Sequence, residues 1–332
     1  MGDKLPHTWK WTRSKVQNYI NGKIVGFDFS GTVEEDVAEF QKGDKVFGCM
    51  PPFQGTLAEL ISVPIDQICL APSNNNNNND NNSMAKVAAL PLVGLTALQS
   101  LSPYVTKESS VLVLGASGGT GHVGLQVARN LGAAHVTAVC TSRNEDFVKS
   151  CGATYFVDYT LNDSSPETLY SNLQNAPGYP FTVVMDCVTS ADPKDQRIDY
   201  PSLVRKGQAG TTTTTSSGGG GDGLKKDPLV AERHKYLRLG GRSPDWIRAG
   251  LEKARVPSTW IWPEKHEKLF WIRFPKSSEE LRQLKTWADE GKLNVQVSHT
   301  VPFIAEDVKG AFDQILSRRV QGKIVVEVAG EC

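Results

Sequence analysis

The sequence feature that most restricts the fold is a set of closely spaced glycines between an apolar segment and a segment with helical spacing. Val111–Leu114 is continuously apolar, and Val123–Leu131 repeats apolar residues at helical intervals. Between these segments, Gly119, Gly121 and Gly124 match the pattern G-x-G-x-x-G. The pattern is weak alone, but between a strand and a helix it predicts a turn whose backbone a phosphate group can approach closely.

Strand-like and helix-like segments alternate after this turn. The predicted strands are Val136–Cys140, Tyr155–Val157 and Val183–Cys187, with a helix over Glu145–Cys151. Such alternation is typical of parallel strands joined by right-handed helical crossovers. It predicts an α/β fold with a doubly wound Rossmann-type parallel sheet. The later predicted elements are an edge strand at Leu269–Phe274, helices at Ser278–Gly291 and Ala305–Arg318, and a final strand at Lys323–Val328.

The N-terminal part of the chain has the pattern of a small all-β unit. Three short segments between turn residues are predicted strands, which indicates a barrel or a sandwich piece. A segment of helical spacing follows and contains two helix-breaking residues. The three strands are Ile24–Val33, Asp44–Gly48 and Gly55–Val63, and the helical segment is Ala85–Leu101, interrupted by Pro91 and Gly94.

Composition excludes several classes of function. The formal charge of the 332 residues is zero, which gives no indication of a nucleic-acid or anionic-membrane partner. No apolar run approaches the roughly 20 residues of a membrane span, and Met1–Lys15 lacks the apolar core of a secretory signal.

The six cysteines contain no C-x-x-C pair, which favours buried free thiols in a reducing compartment. The low-complexity segments Asn74–Asn82 and Thr211–Gly223 are expected to be surface loops without a function of their own.

The glycine-rich turn predicts a dinucleotide-binding loop, because the first N–H groups of a helix attract phosphate. The expected cofactor-binding residues are Ser117, Gly118, Gly119, Thr120, Gly121, His122, Val123 and Gly124. One alternative is a glycine-rich turn without a ligand. Another is the nucleophile elbow of an α/β-hydrolase, because Gly115–Gly119 also fits G-x-S-x-G, with Ser117 as nucleophile and Asp186 and His299 in the order of a triad.

The end of the second strand of this unit indicates which dinucleotide is bound. An NAD-binding unit usually has an acidic residue there to hold the ribose hydroxyls. This chain instead has Thr141, Ser142 and Arg143, which suit a 2′-phosphate, while Glu145 and Asp146 are expected to begin a helix. NADPH is therefore the predicted cofactor. The alternative is that Arg143 is a solvated surface residue.

Five segments together resemble the zinc-free medium-chain dehydrogenase/reductases, in the quinone oxidoreductase-like branch that includes fungal enoyl reductases. Each segment is weak alone, but together they cover most of the chain. They are Ile24–Val33 with G-x-D-x-x-G-x-V, Lys42–Gly48 with K-x-G-D-x-V-x-G, Gly55–Glu59, Ala88–Ala97 and Gly322–Val325 with G-K-x-V.

The resemblance implies two domains with the active cleft between them. A GroES-like catalytic domain, shortened at its N-terminus, would take residues 1–88 and 292–332, and a Rossmann NADP-binding domain residues 89–291. It further implies that Thr96 lies near the nicotinamide or pyrophosphate, Tyr159 near the adenosine, and Cys187 and Val188 beside the nicotinamide ribose. A homodimer is implied by resemblance alone.

Two departures from the family pattern affect the expected chemistry. Phe27 stands where zinc-dependent relatives have a histidine, and no cysteine-rich lobe is present, so no metal is expected. Leu5–Lys10 resembles a cleft-facing N-P-x-D-W-K run but has Leu5 and Thr8 at its Asn and Asp positions. Either a short native N-terminus or a truncated gene model would account for this start, and the chain is expected to be cytoplasmic, or mitochondrial if a native N-terminus is missing.

The predicted function is zinc-independent hydride transfer from NADPH to a small quinone or α,β-unsaturated carbonyl. The sequence identifies no catalytic acid and no particular substrate. The alternative is a non-enzymatic NADPH-binding or interaction protein, which the altered Leu5–Lys10 run and the shortened barrel motivate.

Overall fold

The computed structural model describes residues 24–51, 54–73, 83–160, 166–189, 230–240, 267–270, 272–273 and 277–328. The expectations for Leu5–Lys10, Asn74–Asn82, Thr211–Gly223 and Cys332 fall outside these ranges.

The first three strands form an antiparallel sheet in the order β1-β2-β3. They are β1 (Asp28–Thr32), β2 (Lys45–Cys49) and β3 (Ile68–Leu70). The strand predicted at Gly55–Val63 is wrong, since no regular strand forms there. The backbone instead turns, because the amides of Thr56 and Leu57 both donate to the carbonyl oxygen of Val25.

The predicted helical segment divides into α1 (Met84–Ala89) and α2 (Pro91–Leu101). Pro91 causes the division because it has no N–H and suits the first turn of a new helix. Gly94 does not interrupt α2, contrary to expectation. The absence of a side chain there leaves room for Leu284, whose Cδ1 would lie 2.6 Å from a Cβ at this position.

The central feature of the fold is a six-stranded sheet with every neighbouring pair parallel. Its order is β6-β5-β4-β7-β8-β9, the order of two mononucleotide-binding halves on either side of β4 and β7. The predicted Rossmann sheet is therefore confirmed. Its strands are β4 (Ser110–Leu114), β5 (His135–Cys140), β6 (Tyr155–Asp158), β7 (Phe181–Asp186), β8 (Val230–Arg238) and β9 (Glu267–Leu269).

Five further helices and two strands complete the described part of the chain. β10 and β11 pair in parallel and form a separate two-stranded sheet. Helix α1 packs against β1 and against both of these strands, which brings the two ends of the described chain together. The elements are α3 (Gly119–Asn130), α4 (Glu145–Ser150), α5 (Pro166–Gln174), α6 (Ser278–Asp289), β10 (Val297–Pro302), α7 (Ala305–Leu316) and β11 (Lys323–Glu327).

Sequence patterns located some of these elements poorly. The edge strand predicted at Leu269–Phe274 instead ends at Leu269, where it was expected to begin. Helix α5 and strands β3, β8 and β10 were not predicted. Strand β8 is polar over much of its length and contains Glu232, Arg233 and Lys235, so it lacks the apolar run of a buried parallel strand.

Burial is most complete in β4, where all five residues are buried. This explains why Val111–Leu114 is continuously apolar, since helices cover both faces of a parallel sheet. The predicted free thiols are confirmed among the described cysteines: Cys49, Cys69, Cys140 and Cys151 are buried, Cys187 is partly buried, and none is in a disulfide. Within the described ranges, no helix is both long and apolar enough to cross a bilayer.

A row of polar side chains on α3 holds the segment that leads into β10. His122, Gln126 and Asn130 are spaced four residues apart and therefore share one helix face. Gln126 exchanges two hydrogen bonds of 2.8 Å with the backbone of Asn294, and Asn130 donates to the carbonyl oxygen of Lys292 at 3.0 Å. His122 accepts from the amide of Gln296 at 3.0 Å. We call these three side chains the α3 ladder.

Replacing the middle residue of the α3 ladder, Gln126→Ala, is expected to lower the free energy of unfolding by about 1–3 kcal/mol. The cause is the loss of the paired hydrogen bonds to Asn294. Urea unfolding measures the change. Gln174→Ala, an exposed position in α5, is the matched control and should leave stability almost unchanged. Equal losses in the two variants would contradict a bracing role for Gln126.

Candidate functional site

The predicted cofactor residues gather at the carboxyl edge of the central sheet. Strands β4 to β7 are parallel, so the loops that follow them meet at one edge. Strand β4 lies between β5 and β7, and this reversal of strand order opens a crevice beyond its carboxyl end. Apart from Thr96, each predicted cofactor residue lies in one of these loops or in the first two turns of α3. Thr96 lies in α2, which packs against α3.

The glycine loop turns sharply at Gly115. This residue has a φ of +70°, a left-handed conformation that favours glycine. The amides of Gly115 and Ala116 both donate to the carbonyl oxygen of Val139 in β5, which fastens the loop to the sheet. The tight turn therefore depends on Gly115, which is not one of the three glycines of the G-x-G-x-x-G match.

Gly121 and Gly124 permit close approach of neighbouring atoms. A Cβ at Gly121 would overlap the carbonyl oxygen of Gly115, and one at Gly124 would lie 2.7 Å from the sulfur of Met185 in β7. Helix α3 can therefore begin directly above the loop and pack closely on the sheet. Its first amides, those of Gly119 and Thr120, precede the first intrahelical bond, and no side chain caps this end. The geometry fits an anionic group at this position.

The loop after β7 lies against the glycine loop. The Cγ2 atom of Val188 would lie 2.8 Å from a Cβ at Gly115, and the Cβ of Cys187 would lie 3.7 Å away. The carboxylate of Asp186 stabilises this loop, because it accepts from the amides of Val188 and Thr189 at 2.8 and 2.9 Å. The structure therefore brings Cys187 and Val188 together with the predicted phosphate loop.

The turn after β5 carries the predicted 2′-phosphate residues. Thr141 precedes a short 3-10 turn over Ser142–Asn144, in which Ser142 and Arg143 are exposed and Asn144 is buried. Arg143 is therefore accessible to a ligand at this edge. Tyr159 lies in the neighbouring loop after β6 and packs against the buried cluster on that side of the sheet.

Sequence reasoning missed Asp158, an acidic residue that reaches this turn from the end of β6. Its carboxylate accepts from the amide of Ser142 at 2.6 Å and from the amide and hydroxyl of Thr160, each at 2.6 Å. Burial acts to raise the pKa of Asp158, but the hydrogen bonds from Thr160 and Ser142 outweigh it and hold the pKa below its usual value. The signal in the sequence was its place at the end of a predicted strand beside Cys140, its partner in register.

His122 is wholly buried and joins the glycine loop to the C-terminal segment. One ring nitrogen, Nδ1, donates to the carbonyl oxygen of Gly118 at 2.8 Å, and Nε2 accepts from the amide of Gln296. Burial lowers the pKa of His122 to about 4, so the ring is neutral near pH 7. Since both nitrogens are engaged by backbone groups, His122 positions the loop and is not available to exchange protons with a ligand.

A charged pair lies beside the amino end of α3. Lys323 Nζ is 3.0 Å from Asp28 Oδ2, and the other carboxylate oxygen accepts from the amide of Leu92 at 2.6 Å. The Lys323 side chain passes so close to Gly119 that its Cδ would lie 3.0 Å from a Cβ there. Burial, followed by the charge of Asp28, raises the pKa of the adjacent Cys49 thiol well above its usual value, so this cysteine is a thiol and not a reactive thiolate.

The hydrolase triad that sequence left open is not assembled. The Ser117 hydroxyl accepts from the amide group of Asn144 at 3.0 Å, and Asp186 accepts from the Tyr236 hydroxyl at 2.6 Å. His299 lies in the C-terminal sheet with Nδ1 3.4 Å from the hydroxyl of Ser298. The three side chains therefore have separate partners.

Metal-binding geometry is absent from the described part of the chain, where no three His, Cys, Asp or Glu side chains are grouped as ligands. Phe27 is exposed and has no atom that could bind a metal ion.

Comparison with known proteins gives consistent matches. The family model described as zinc-binding dehydrogenase matches residues 151–326, more than half of the chain. The chain is 28% identical over 314 residues to the mouse (Mus musculus) protein named NAD(P)H oxidoreductase RTN4IP1, mitochondrial, covering 92% of this chain and 70% of the relative. It is 27% identical over 318 residues to trans-enoyl reductase pgmF of Aspergillus terreus, covering 91% and 76%.

A solved structure agrees with the fold. The quinone oxidoreductase from Coxiella burnetii superposes with a TM-score of 0.63 at 22% identity, covering 96% of this chain and 83% of that protein. This likeness supports a Rossmann sheet joined to a smaller β unit, as the sequence predicted.

The Gly121→Ala variant is expected to lose at least about 2 kcal/mol of unfolding free energy, because its methyl group would overlap the backbone of Gly115 and Ala116. Chemical denaturation without cofactor measures the loss. Gly118→Ala is the control, since a Cβ there would lie 3.4 Å from the nearest oxygen, an ordinary contact. A Gly121→Ala variant as stable as Gly118→Ala would contradict the observed packing of the loop.

Stability should fall as the pH drops from about 6.5 to 4, and His122 should contribute to the fall. In the unfolded chain this histidine is protonated below about pH 6.5, whereas in the folded chain its pKa is about 4. The linked loss reaches about 3 kcal/mol at the lower limit. His122→Gln does not titrate, so its unfolding free energy should decline less steeply than that of the wild type. Parallel pH profiles would show that His122 is not buried in its neutral form.

Proposed function

The chain belongs to the zinc-binding dehydrogenase family, within the quinone oxidoreductase-like medium-chain dehydrogenase/reductases, and from that premise we propose that it is an NADPH-dependent reductase of quinones or α,β-unsaturated carbonyls. The observation that carries the proposal is the convergence of an uncapped helix end and the exposed Arg143 at one edge of the sheet. The names of the mouse and Aspergillus relatives, an NAD(P)H oxidoreductase and a trans-enoyl reductase, support it.

The described residues fit a nicotinamide dinucleotide. The pyrophosphate would bind the amides of Gly119 and Thr120, where a side chain at Gly121 would disturb the loop. Ser142 and Arg143 would bind the 2′-phosphate, with Tyr159 near the adenosine. Cys187 and Val188 would flank the nicotinamide ribose, and Thr96 would approach the cofactor from α2.

The cofactor would supply the hydride, and the protein would orient the two reactants. Acceptors conjugated to a carbonyl need little polarisation, because the added charge spreads into an enolate or a hydroquinone. Backbone N–H groups, hydroxyls or water could provide that polarisation, and solvent could provide the proton. No catalytic acid is therefore required of the chain.

Zinc does not fit the residues at the position where zinc-dependent relatives have a histidine. Phe27 offers no ligand, and the carboxylate of Asp28 is already bound by the ammonium of Lys323 and the amide of Leu92. A metal ion at Asp28 would have to displace a charged partner and leave it partly buried. We therefore propose zinc-independent catalysis.

Three further proposals follow from the family resemblance and the names of relatives. The first is a division into a catalytic domain of residues 1–88 and 292–332 and a cofactor domain of residues 89–291. The second is a homodimer. The third is the location, cytoplasmic or mitochondrial, where the mitochondrial label of the mouse relative favours the latter.

Activity is tested by mixing the protein with NADPH and a panel of quinones and enones and following the absorbance of the reduced cofactor. We expect oxidation of NADPH with at least one conjugated acceptor and none with simple ketones. Metal chelation should leave the rate unchanged. Binding of NADPH without turnover of any acceptor would favour the non-enzymatic alternative, and failure to bind NADPH would overturn both functions.

Cofactor choice is tested by Arg143→Ala. Loss of a charged hydrogen bond to the 2′-phosphate should raise the Kd for NADPH about 10- to 100-fold and change that for NADH little. Fluorescence titration of the bound cofactor measures both values. Lys149→Ala is the matched control, an exposed cation in the next helix that pairs with Glu145. Equal weakening of NADPH and NADH in Arg143→Ala would contradict recognition of the 2′-phosphate.

A further inference from the structure

The buried side chain of Asn144 connects three loops that are distant in sequence. Its Nδ2 donates to the hydroxyl of Ser117 at 3.0 Å, in the glycine loop, and to that of Thr141 at 3.3 Å. Its Oδ1 accepts from Nε2 of Gln321 at 3.1 Å, in the turn before β11. The side-chain amide of Asn144 therefore has hydrogen-bond partners on both its nitrogen and its oxygen.

Asn144 is also the last residue of the turn that carries Arg143. The amide of Ser142, at the start of that turn, is bound by the carboxylate of Asp158. The exposed Arg143 is thus held between two anchored neighbours. Asn144 and Arg143 are joined by one peptide unit, so a shift of the Asn144 backbone would also move the backbone from which Arg143 projects.

Gln321 is itself firmly placed. The next residue, Gly322, has a φ of +76°, and a side chain there would overlap the carbonyl oxygen of Gln296. The amide of Gly322 donates to the carbonyl oxygen of Ser117 at 3.2 Å. These contacts fix the turn before β11 against the glycine loop. They place the side-chain amide of Gln321 within hydrogen-bonding distance of Asn144.

We propose that Gln321 and Asn144 are positioning residues for cofactor choice, which set the orientation of Arg143 toward the 2′-phosphate. The proposal rests on the function proposed above. Removing Gln321 leaves Oδ1 of the buried Asn144 without its donor, a costly state that the amide relieves by rotating and moving the turn. The glycine loop is also held by the bonds of Gly115 and Ala116 to Val139 and by the bond of the Gly322 amide to the carbonyl oxygen of Ser117. None of these bonds involves the side chain of Gln321, so contacts common to NADPH and NADH are kept.

The test uses Gln321→Met in the full chain, which keeps the length of the side chain but removes its donor. We expect the Kd for NADPH to rise about five- to tenfold and the Kd for NADH to change less than about twofold. Gln314→Met, an exposed position in α7, is the matched control and should change neither Kd. Unfolding midpoints of all variants show whether the fold is intact.

A double variant separates positioning from general destabilisation. If Gln321 acts through Arg143, Gln321→Met should have no further effect on the ratio of the two Kd values in the Arg143→Ala background. Equal weakening of both cofactors, an unchanged ratio in Gln321→Met, or additive effects in the double variant would each overturn the inference while leaving NADPH binding intact. A wild-type chain that binds neither cofactor would overturn the proposed function as well.

Discussion

The ion pair between Asp28 and Lys323 is the contact on which the geometry of the site depends. It joins the first described strand to the last, across 295 positions of sequence. Both charges are largely shielded from solvent, and removal of either would leave an uncompensated charge beside Cys49 and the start of α2. Because the Lys323 stem also passes Gly119, this pair links the β unit to the amino end of α3.

Helix α3 has two tasks that its sequence combines in one element. Its amino end is free of side-chain caps and suits phosphate, while the α3 ladder holds the segment that leads into β10. His122 belongs to both regions, since one ring nitrogen binds the glycine loop and the other binds Gln296. The amino end of α3 and the segment that leads into the C-terminal strands are therefore mechanically connected.

Local sequence pattern was sufficient for the features that depend on neighbouring residues. The strand at β4 and the glycine loop are examples, because continuous burial and close backbone approach restrict composition directly. Contacts between distant segments were not predictable. Asp158 and Gln321 look like ordinary polar residues in sequence, and their roles arise only when β6 and β11 reach the turn after β5. The strand predicted at Gly55–Val63 was wrong for the same reason, because the amides of Thr56 and Leu57 donate to the carbonyl oxygen of the distant Val25.

The α3 ladder has a consequence for how this protein tolerates substitution over time. Gln126, Asn130 and His122 bind main-chain atoms of residues 292–296, so the side chains of that segment contribute nothing to these bonds. Although Leu293 and Val295 are buried in the core, drift at the exposed positions Lys292, Asn294 and Gln296 can proceed without loss of these bonds. The exception is proline at 294 or 296, which would remove the very N–H that Gln126 or His122 accepts.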